Sequence, residues 1–219
     1  MTTRNHSLVK DEYYHIYNRG NSKQIIFLDE QDYKVFQFYL YIMNMEKRIT
    51  SREAGDASYS YDRNKVLVDI GAYCLMPNHF HILLTQKENG GISKFMLKLS
   101  TAYTMYFNQK YNRTGSLYEG TFKSKHIADD TYLKYLYSYI HLNPLKIISP
   151  NWKNDLKVGK HVDAKKITEY PYSSVGYYLN NDLTENKIVE TYSFPDYFPN
   201  KNRFLKEILS WINLNDYLK

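Results

Sequence analysis

Two histidines one residue apart, His79 and His81, sit in the stretch Pro77-Asn78-His79-Phe80-His81-Ile82-Leu83-Leu84, where β-favouring apolar residues follow them. On a strand, successive side chains alternate faces, so both imidazoles point one way and Phe80 points to the opposite layer. Two strand residues span about 6–7 Å. At that separation the rings can converge on one metal ion or simply hydrogen-bond on a sheet face, and spacing alone leaves both readings open. A second group lies downstream, where Tyr132 to Asn143 carries four tyrosines, at 132, 135, 137 and 139. Residues three and four apart on a helix share a face. That rule puts Tyr132, Leu136, Tyr139 and Asn143 on one face and Leu133, Tyr137 and Ile140 on another. A phenol and an amide one turn apart, Tyr139 and Asn143, can thus face one site, although tyrosines on such a helix also commonly line a core.

The elements that must position these groups follow from periodicity. Tyr13 to Tyr17 reads as a first strand and Asn18-Arg19-Gly20-Asn21 as a turn. Asp29 is an N-cap ahead of Val35, Phe36, Tyr39, Ile42 and Met43, a helical stripe. Residues 50–64 are polar and aperiodic, a surface loop. Val66 to Ile70 and Tyr73 to Met76 form a second strand bulged at Gly71. The turn Pro77-Asn78 then sends the histidine strand back antiparallel to it. After Gly90 and Gly91, the residues Ile92, Phe95, Met96, Leu99, Tyr103, Tyr106 and Phe107 make the clearest helix, its aromatic stripe belonging to the core. Asn112 to Gly115 is a turn, and Phe122 to Ile127 alternates as a fourth strand with Lys123 and Lys125 on one face. Asp129 and Asp130 cap a helix to about Leu142, which Pro144 ends by disfavouring helical geometry at Asn143. Strand, helix, two strands, helix, strand, helix predicts an α+β fold, helices packed on an antiparallel sheet. Later residues read as irregular, aromatic-anchored packing around Tyr170 to Ser174 and Pro195 to Pro199, with a short helix from Phe204 to Ile212.

Composition bounds the rest. A chain of 219 residues with 43% apolar content holds one large domain or one domain with an extension. Cys74 is the single cysteine, which excludes an intrachain disulfide framework and a cysteine-based zinc cluster and fits a reducing cytoplasm. The first residues have no apolar leader pattern, and no apolar run reaches the 18 or more residues of a membrane span. A net charge of +6 and a pI near 9.0 permit a polyanionic partner. The 24 tyrosines accompany abundant Lys, Asn and Ile, all with A/T-rich codons, so codon usage accounts for most of them.

Five ordered motifs carry a resemblance. Pro-Asn-His-Phe-His-Ile-Leu at 77–83 is followed by Tyr-Ile-His-Leu-Asn-Pro at 139–144. Tyr14 to Gly20 (Tyr-His-Ile-Tyr-Asn-Arg-Gly) stands near the start, Arg113 to Gly120 (Arg-Thr-Gly-Ser-Leu-Tyr-Glu-Gly) precedes the fourth strand, and Tyr-Pro-Tyr-Ser-Ser occupies 170–174. Over roughly residues 12–178 the chain resembles the single-tyrosine HUH transposases, and more narrowly the REP-associated tyrosine transposases. The resemblance implies a ferredoxin-like palm sheet over residues 1–147, with 148–219 an extension packed on it. It implies a bacterial cytoplasmic or nucleoid enzyme that cleaves and rejoins single-stranded or hairpin DNA. On the matching positions, His79 and His81 correspond to metal ligands, Tyr139 to the nucleophile and Asn143 to a third, polar ligand. His141 stands where that branch often has Glu, and Tyr118 and Tyr172 where it often has Trp. The longer C-terminal part favours a monomer and leaves a homodimer open.

The chemistry agrees with that resemblance. A phenol near pKa 10 is a weak nucleophile at neutral pH and needs a polarised target. Imidazole and oxygen ligands suit Mg²⁺ or Mn²⁺ without excluding Zn²⁺, and such an ion stabilises charge on a phosphoryl group. Lys94, Lys98, Arg113, Lys123 and Lys125 are the expected DNA-path cations, weighed against ordinary solvated charges. Two rivals stand beside this reading. One is a domesticated hairpin binder that does not cleave, which would be expected to lose the His pair or the tyrosine. The other is a metal-dependent phosphodiesterase, which needs an acid near the pair, Asp69 on the preceding strand being the nearest upstream.

Overall fold

The computed structural model describes residues 7–47, 49, 53, 58–152, 154 and 165–213. Its core is a four-stranded antiparallel sheet in the order β2-β3-β1-β4. The strands are β1 (Tyr13–Arg19), β2 (Val68–Met76), β3 (His79–Gln86) and β4 (Lys123–Ile127). With α1 (Glu30–Ile42) between β1 and β2, and α2 (Gly91–Lys110) between β3 and β4, the chain runs β-α-β-β-α-β. That is the split βαβ, ferredoxin-like topology. The fold is α+β, as the element order predicts.

Alternation along the strands sorts side chains into two layers. Tyr14, Ile16, Phe80, Ile82 and Leu84 join Phe36 and Leu40 of α1 and Phe95, Leu99 and Tyr103 of α2 in one apolar layer. Ala72, Cys74, Leu83 and Ile127 face the other way, onto α3 (Asp130–Leu142), through Leu133, Leu136, Tyr137 and Ile140. The register places His15 opposite Leu83 and Lys125, Tyr17 opposite His81 and Lys123, and Arg19 opposite His79. All of these belong to the face that α3 partly covers.

Local details match their causes. Asp29 caps α1 in a capping box, accepting from the Asp32 amide while the Asp32 carboxylate accepts from the Asp29 amide. The buried stripe of α1 is centred on Phe36 and Leu40, whereas Val35 and Tyr39 are only partly covered. β2 slips register between Ile70 and Ala72, the bulge expected at Gly71. A Cβ on Gly71 would sit 2.8 Å from Tyr137 Oη and 2.9 Å from the Phe194 ring, so a glycine permits this approach.

Three expectations change. Residues 50–52 and 54–57 of the predicted surface loop lie outside the described residues. Beyond them the chain packs on α1: Tyr59 stands edge-on to Phe38 at 5.4 Å, and the Tyr41 hydroxyl donates to Tyr61 O at 2.8 Å. Asn18 and Arg19 extend β1 instead of turning, because Glu119 N donates to Arg19 O and Asn18 Nδ2 to Gly120 O. Asn143 is helical (φ −54°, ψ −39°) despite Pro144, and a short helix α4 (Leu145–Ile148) follows. Its side-chain Nδ2 donates to Tyr139 O at 2.8 Å, which gives that carbonyl its partner at the helix end.

Residues from Tyr170 on cover the outer edge of β2. Leu75 N donates to Tyr172 O, Ser174 N to Tyr73 O and Glu190 N to Ile70 O, at 2.9–3.0 Å. An open strand edge is a pairing liability, and this segment occupies it. Helix α5 (Lys165–Thr168), α6 (Val175–Tyr178) and α7 (Lys201–Asn213) accompany it, with Phe204 and Ile208 of α7 packed in the α3 layer.

Candidate active site

A cleft of about 920 Å³ opens between the sheet face and α3. β1 contributes His15, Tyr17, Asn18 and Arg19, and β3 contributes His79 and His81. Glu119, Lys123, Lys125, Tyr132, Tyr135, Tyr139 and Lys146 complete its wall.

Hydrogen bonds define the ring nitrogens. His79 Nδ1 lies 2.6 Å from Asn78 Oδ1. The amide oxygen only accepts, so Nδ1 carries the proton and Nε2 is a bare lone pair. His81 Nδ1 lies 2.9 Å from His15 Nε2, and His81 Nε2 is buried with no hydrogen-bond partner. The two rings stand at 89° with centroids 5.0 Å apart. Burial, then the neighbouring Arg19 and Lys146 charges, lowers the His79 pKa to about 4. Burial lowers His15 to about 3 and, with His15 beside it, holds His81 well below its ordinary value. All three rings are therefore neutral at pH 7, the state a metal ligand needs. An unpartnered nitrogen in each of two neutral imidazoles fits a borderline or hard divalent cation. Among the described residues no three His, Cys, Asp or Glu side chains converge in a metal-holding group, so further ligands would come from amide, phosphate or water oxygen.

Three of the four helix tyrosines face this cleft. Tyr132, Tyr135 and Tyr139 form a row with ring centroids 5.8 and 6.1 Å apart. Tyr139 is edge-on to both His81 (5.4 Å) and His15 (5.9 Å). Burial, then Tyr135 beside it, raises its pKa above the ordinary phenol value. Tyr137 points away, 1% exposed, against Tyr178 and Phe198. The cleft face of α3 is thus Tyr132, Tyr135 and Tyr139, not the expected row with Leu136, which turns into the apolar layer.

Asn143 follows Tyr139 by one turn but is 1% exposed and absent from the cleft wall. Its Oδ1 accepts from Lys146 Nζ at 2.8 Å, and that ammonium stands 5.0 Å from the Tyr139 ring centroid. Of the expected DNA-path cations, Lys123 and Lys125 line the cleft, Lys125 also donating to the Tyr132 hydroxyl at 2.8 Å. Lys94, Lys98 and Arg113 do not. Lys98 Nζ donates to Met45 O and Lys47 O, and Arg113 to Gln24 Oε1. Asp69 is 1% exposed and held by Lys87 and Ser193, away from the wall, where Glu119 is the acid present. His15, Tyr17, Arg19, Tyr135 and Lys146 escaped the sequence reading. The Tyr14-to-Gly20 motif contained three of them, but which strand faces share a cleft depends on pairing register.

Two motifs meet at the rim. Gly20 bridges Tyr118, and Asn21 N donates to Leu117 O, so the 14–20 and 113–120 stretches fix each other and set Arg19 beside Glu119. Behind α3, His141 Nδ1–H donates to Tyr137 O and Nε2 accepts from Ser174 Oγ at 2.8 Å. The Tyr-Pro-Tyr-Ser-Ser motif thereby anchors the tyrosine helix from its far side.

Residues 57–143 match the family model described as Transposase IS200 like. Over that span the chain is similar to the IS200-like transposases. The match contains both histidines, the whole of α3 and Asn143, in agreement with the family reached from the motifs. Among solved structures, that of a REP-associated tyrosine transposase bound to a REP hairpin is similar at 14% identity, with a TM-score of 0.49, over 80% of this chain and 82% of that one. No curated protein matches the chain. Among the described residues no helix is long and apolar enough to cross a membrane.

Proposed function

We propose that this chain is a transposase-like nuclease that cleaves and rejoins single-stranded, hairpin-flanked DNA through a 5′-phosphotyrosine on Tyr139. The observation that carries this reading is the shared cleft, which brings Tyr139, the neutral His79–His81 pair and the cations Arg19, Lys123, Lys125 and Lys146 onto one wall. Four cations against one carboxylate suit a phosphate backbone. The row of Tyr132, Tyr135 and Tyr139 offers flat faces on which unpaired bases stack, a contact open to single strands.

In the chemical step the Tyr139 oxygen attacks phosphorus as its proton passes to solvent. The P–O3′ bond breaks, the 3′ oxygen leaves as a hydroxyl after taking up a proton, and the 5′ phosphate stays esterified to the tyrosine. Because that ester keeps the bond energy, rejoining is the reverse step and needs no nucleotide cofactor. The raised pKa of the phenol means its proton leaves during attack, with the Lys146 ammonium beside the ring to offset charge on its oxygen. A divalent ion, Mg²⁺ or Mn²⁺, held at Nε2 of His79 and His81 would supply Lewis-acid polarisation of the phosphoryl oxygens. Asn143 would join as a third ligand when Lys146 releases its Oδ1. In this reading residues 148–219 brace the palm as an extension of it, and the enzyme works as a monomer.

The test uses a hairpin-flanked single-stranded oligonucleotide labelled at its 3′ end, incubated with the full chain and Mg²⁺ or Mn²⁺. A denaturant-resistant protein–DNA adduct on the labelled fragment is expected. Free ends without adduct would mean a phosphodiesterase, and intact bound DNA a non-cleaving binder.

A further inference from the structure

His15 is a buried side chain, 7% exposed, with no role in the chemistry above, yet it makes the one hydrogen bond of the His81 ring. Its partner's other nitrogen, His81 Nε2, is buried and unpartnered. Two proton arrangements satisfy the 2.9 Å contact. In the first, His15 Nε2–H donates to His81 Nδ1, which leaves His81 with a buried N–H at Nε2 and no acceptor. In the second, His81 Nδ1–H donates to His15 Nε2, which leaves a bare lone pair at His81 Nε2. Orphaned buried N–H groups are the rarer and costlier of the two. The charges that reach this ring, Lys146 and Arg19, are positive, and a lone pair faces positive potential more favourably than an N–H dipole does. His79, whose tautomer Asn78 fixes independently, already presents Nε2 as a lone pair.

We propose that His15 is a positioning residue for the metal-binding pair: by accepting the Nδ1 proton of His81 it holds that ring in the tautomer whose Nε2 can bind a divalent cation. His15 touches neither substrate nor metal in this scheme. It acts through His81, as outer partners of metal-bound imidazoles do by fixing tautomer and ring orientation. The ring pair is also stacked, 5.0 Å between centroids and 30° between planes, so His15 sets the orientation of His81 as well as its proton. The inference rests on the proposed function only for the purpose of the site, not for the tautomer.

The experiment therefore begins with metal-free full-length protein labelled with ¹⁵N. Two-bond ¹H–¹⁵N spectra report which nitrogen of each imidazole is protonated. His79 and His81 are expected as Nδ1–H tautomers, and His15 with Nε2 unprotonated; an Nε2–H tautomer for His81 overturns the proposal. Mn²⁺ binding, followed by its electron paramagnetic resonance without DNA, gives the second readout. His15→Phe keeps an aromatic ring and removes the acceptor, and should weaken Mn²⁺ binding by about 10–100-fold while His81 shifts toward Nε2–H. His15→Gln, whose amide oxygen can accept the same proton, should restore part of the affinity. A folded His15→Phe protein with wild-type Mn²⁺ affinity overturns the proposal, and if that variant fails to fold, the wild-type spectra decide alone. A protein with these tautomers and this Mn²⁺ response that nevertheless cuts no DNA would overturn only the nuclease reading.

Discussion

The ring of Tyr139 stands edge-on to that of His81, their centroids 5.4 Å apart and their planes at 79°. Two elements far apart in sequence create this relationship. Strand β3 turns His81 to one sheet face by alternation, and α3 crosses that face with Tyr139 on its underside. The proposed reaction requires a nucleophile and a pair of ligand nitrogens to meet at one phosphate, and this crossing sets the Tyr139 ring against that of His81.

Tyr139→Phe removes only the hydroxyl, for which the structure shows no hydrogen bond. The variant is expected to fold and bind DNA like the wild type and to form no covalent 5′ adduct. Tyr135→Phe should still form it, because Tyr135 lies a further ring away from His81. Peptide mapping of the trapped wild-type adduct is an independent check, and DNA on Tyr132 or Tyr135 would sink the assignment.

Much of this was legible in the chain. The His-Phe-His alternation and the apolar run after it, the capping Asp29 and Asp129, and the helical stripe from Ile92 to Phe107 express their structure locally, so the order of elements and the antiparallel pairing of β2 with β3 could be read directly. The histidine pair could also be read, because a two-residue period forces the two rings to one face. What could not be read depends on contacts distant in sequence. Leu136 and Tyr135 compete for the cleft side of α3, and only the packing of α3 on β2 and on α7 decides between them. Lys98 looks like a surface cation in sequence, but the carbonyls of Met45 and Lys47 that hold it come from beyond the end of α1. His15 and Arg19 enter the site because β1 lies between β3 and β4, a fact of strand order with no local signature.

The division among the lysines predicts different salt dependences. Each phosphate contact on single strands contributes about 0.7 to the slope of log affinity against log salt. Lys123→Ala with Lys125→Ala should therefore flatten that slope by about 1.4 units, as read by fluorescence anisotropy across a salt series. Lys94→Ala should leave the slope unchanged. Lys98→Ala should lower thermal stability without changing it, since its ammonium ties two backbone carbonyls. An equal loss of slope at Lys94 would move the DNA path to α2.

Acid should unfold this protein early. Burial lowers His79 and His141 to about 4 and His15 to about 3, against an ordinary 6.5. Above pH 6.5 these rings are neutral in both folded and unfolded chains, so their ionisation contributes nothing there. As pH falls below 6.5 the unfolded chain takes up protons that the folded one refuses, and stability falls until the folded rings titrate near pH 4 or below. Each such ring contributes a slope of about 1.4 kcal/mol per pH unit inside that window. Urea midpoints measured in chelator between pH 8 and 4.5 should hold steady above pH 7 and drop steeply below 6. A flat profile through pH 5 would mean that the rings are not neutral and buried as described.

The last test concerns the far side of the tyrosine helix. Ser174 Oγ accepts the Tyr73 amide at 2.9 Å and donates to His141 Nε2 at 2.8 Å, so one hydroxyl joins the β2 edge to α3. Ser174→Ala leaves both of those buried groups without a partner. Stranding a buried polar group costs about 1–3 kcal/mol, so the variant should lose stability in that range or somewhat above it, with the urea slope unchanged. Ser173→Ala is the internal control, because its hydroxyl makes only 3.4 Å contacts to Tyr170 O and the Val175 amide, and should cost much less. His141→Gln keeps a polar side chain that reaches the same hydroxyl and should fall between the two. If the anchoring also holds Tyr139 in place, Ser174→Ala should slow adduct formation at temperatures where the protein is still fully folded. Equal stability of the Ser173 and Ser174 variants would show that the hydroxyl bridge does not fasten the helix to the sheet edge.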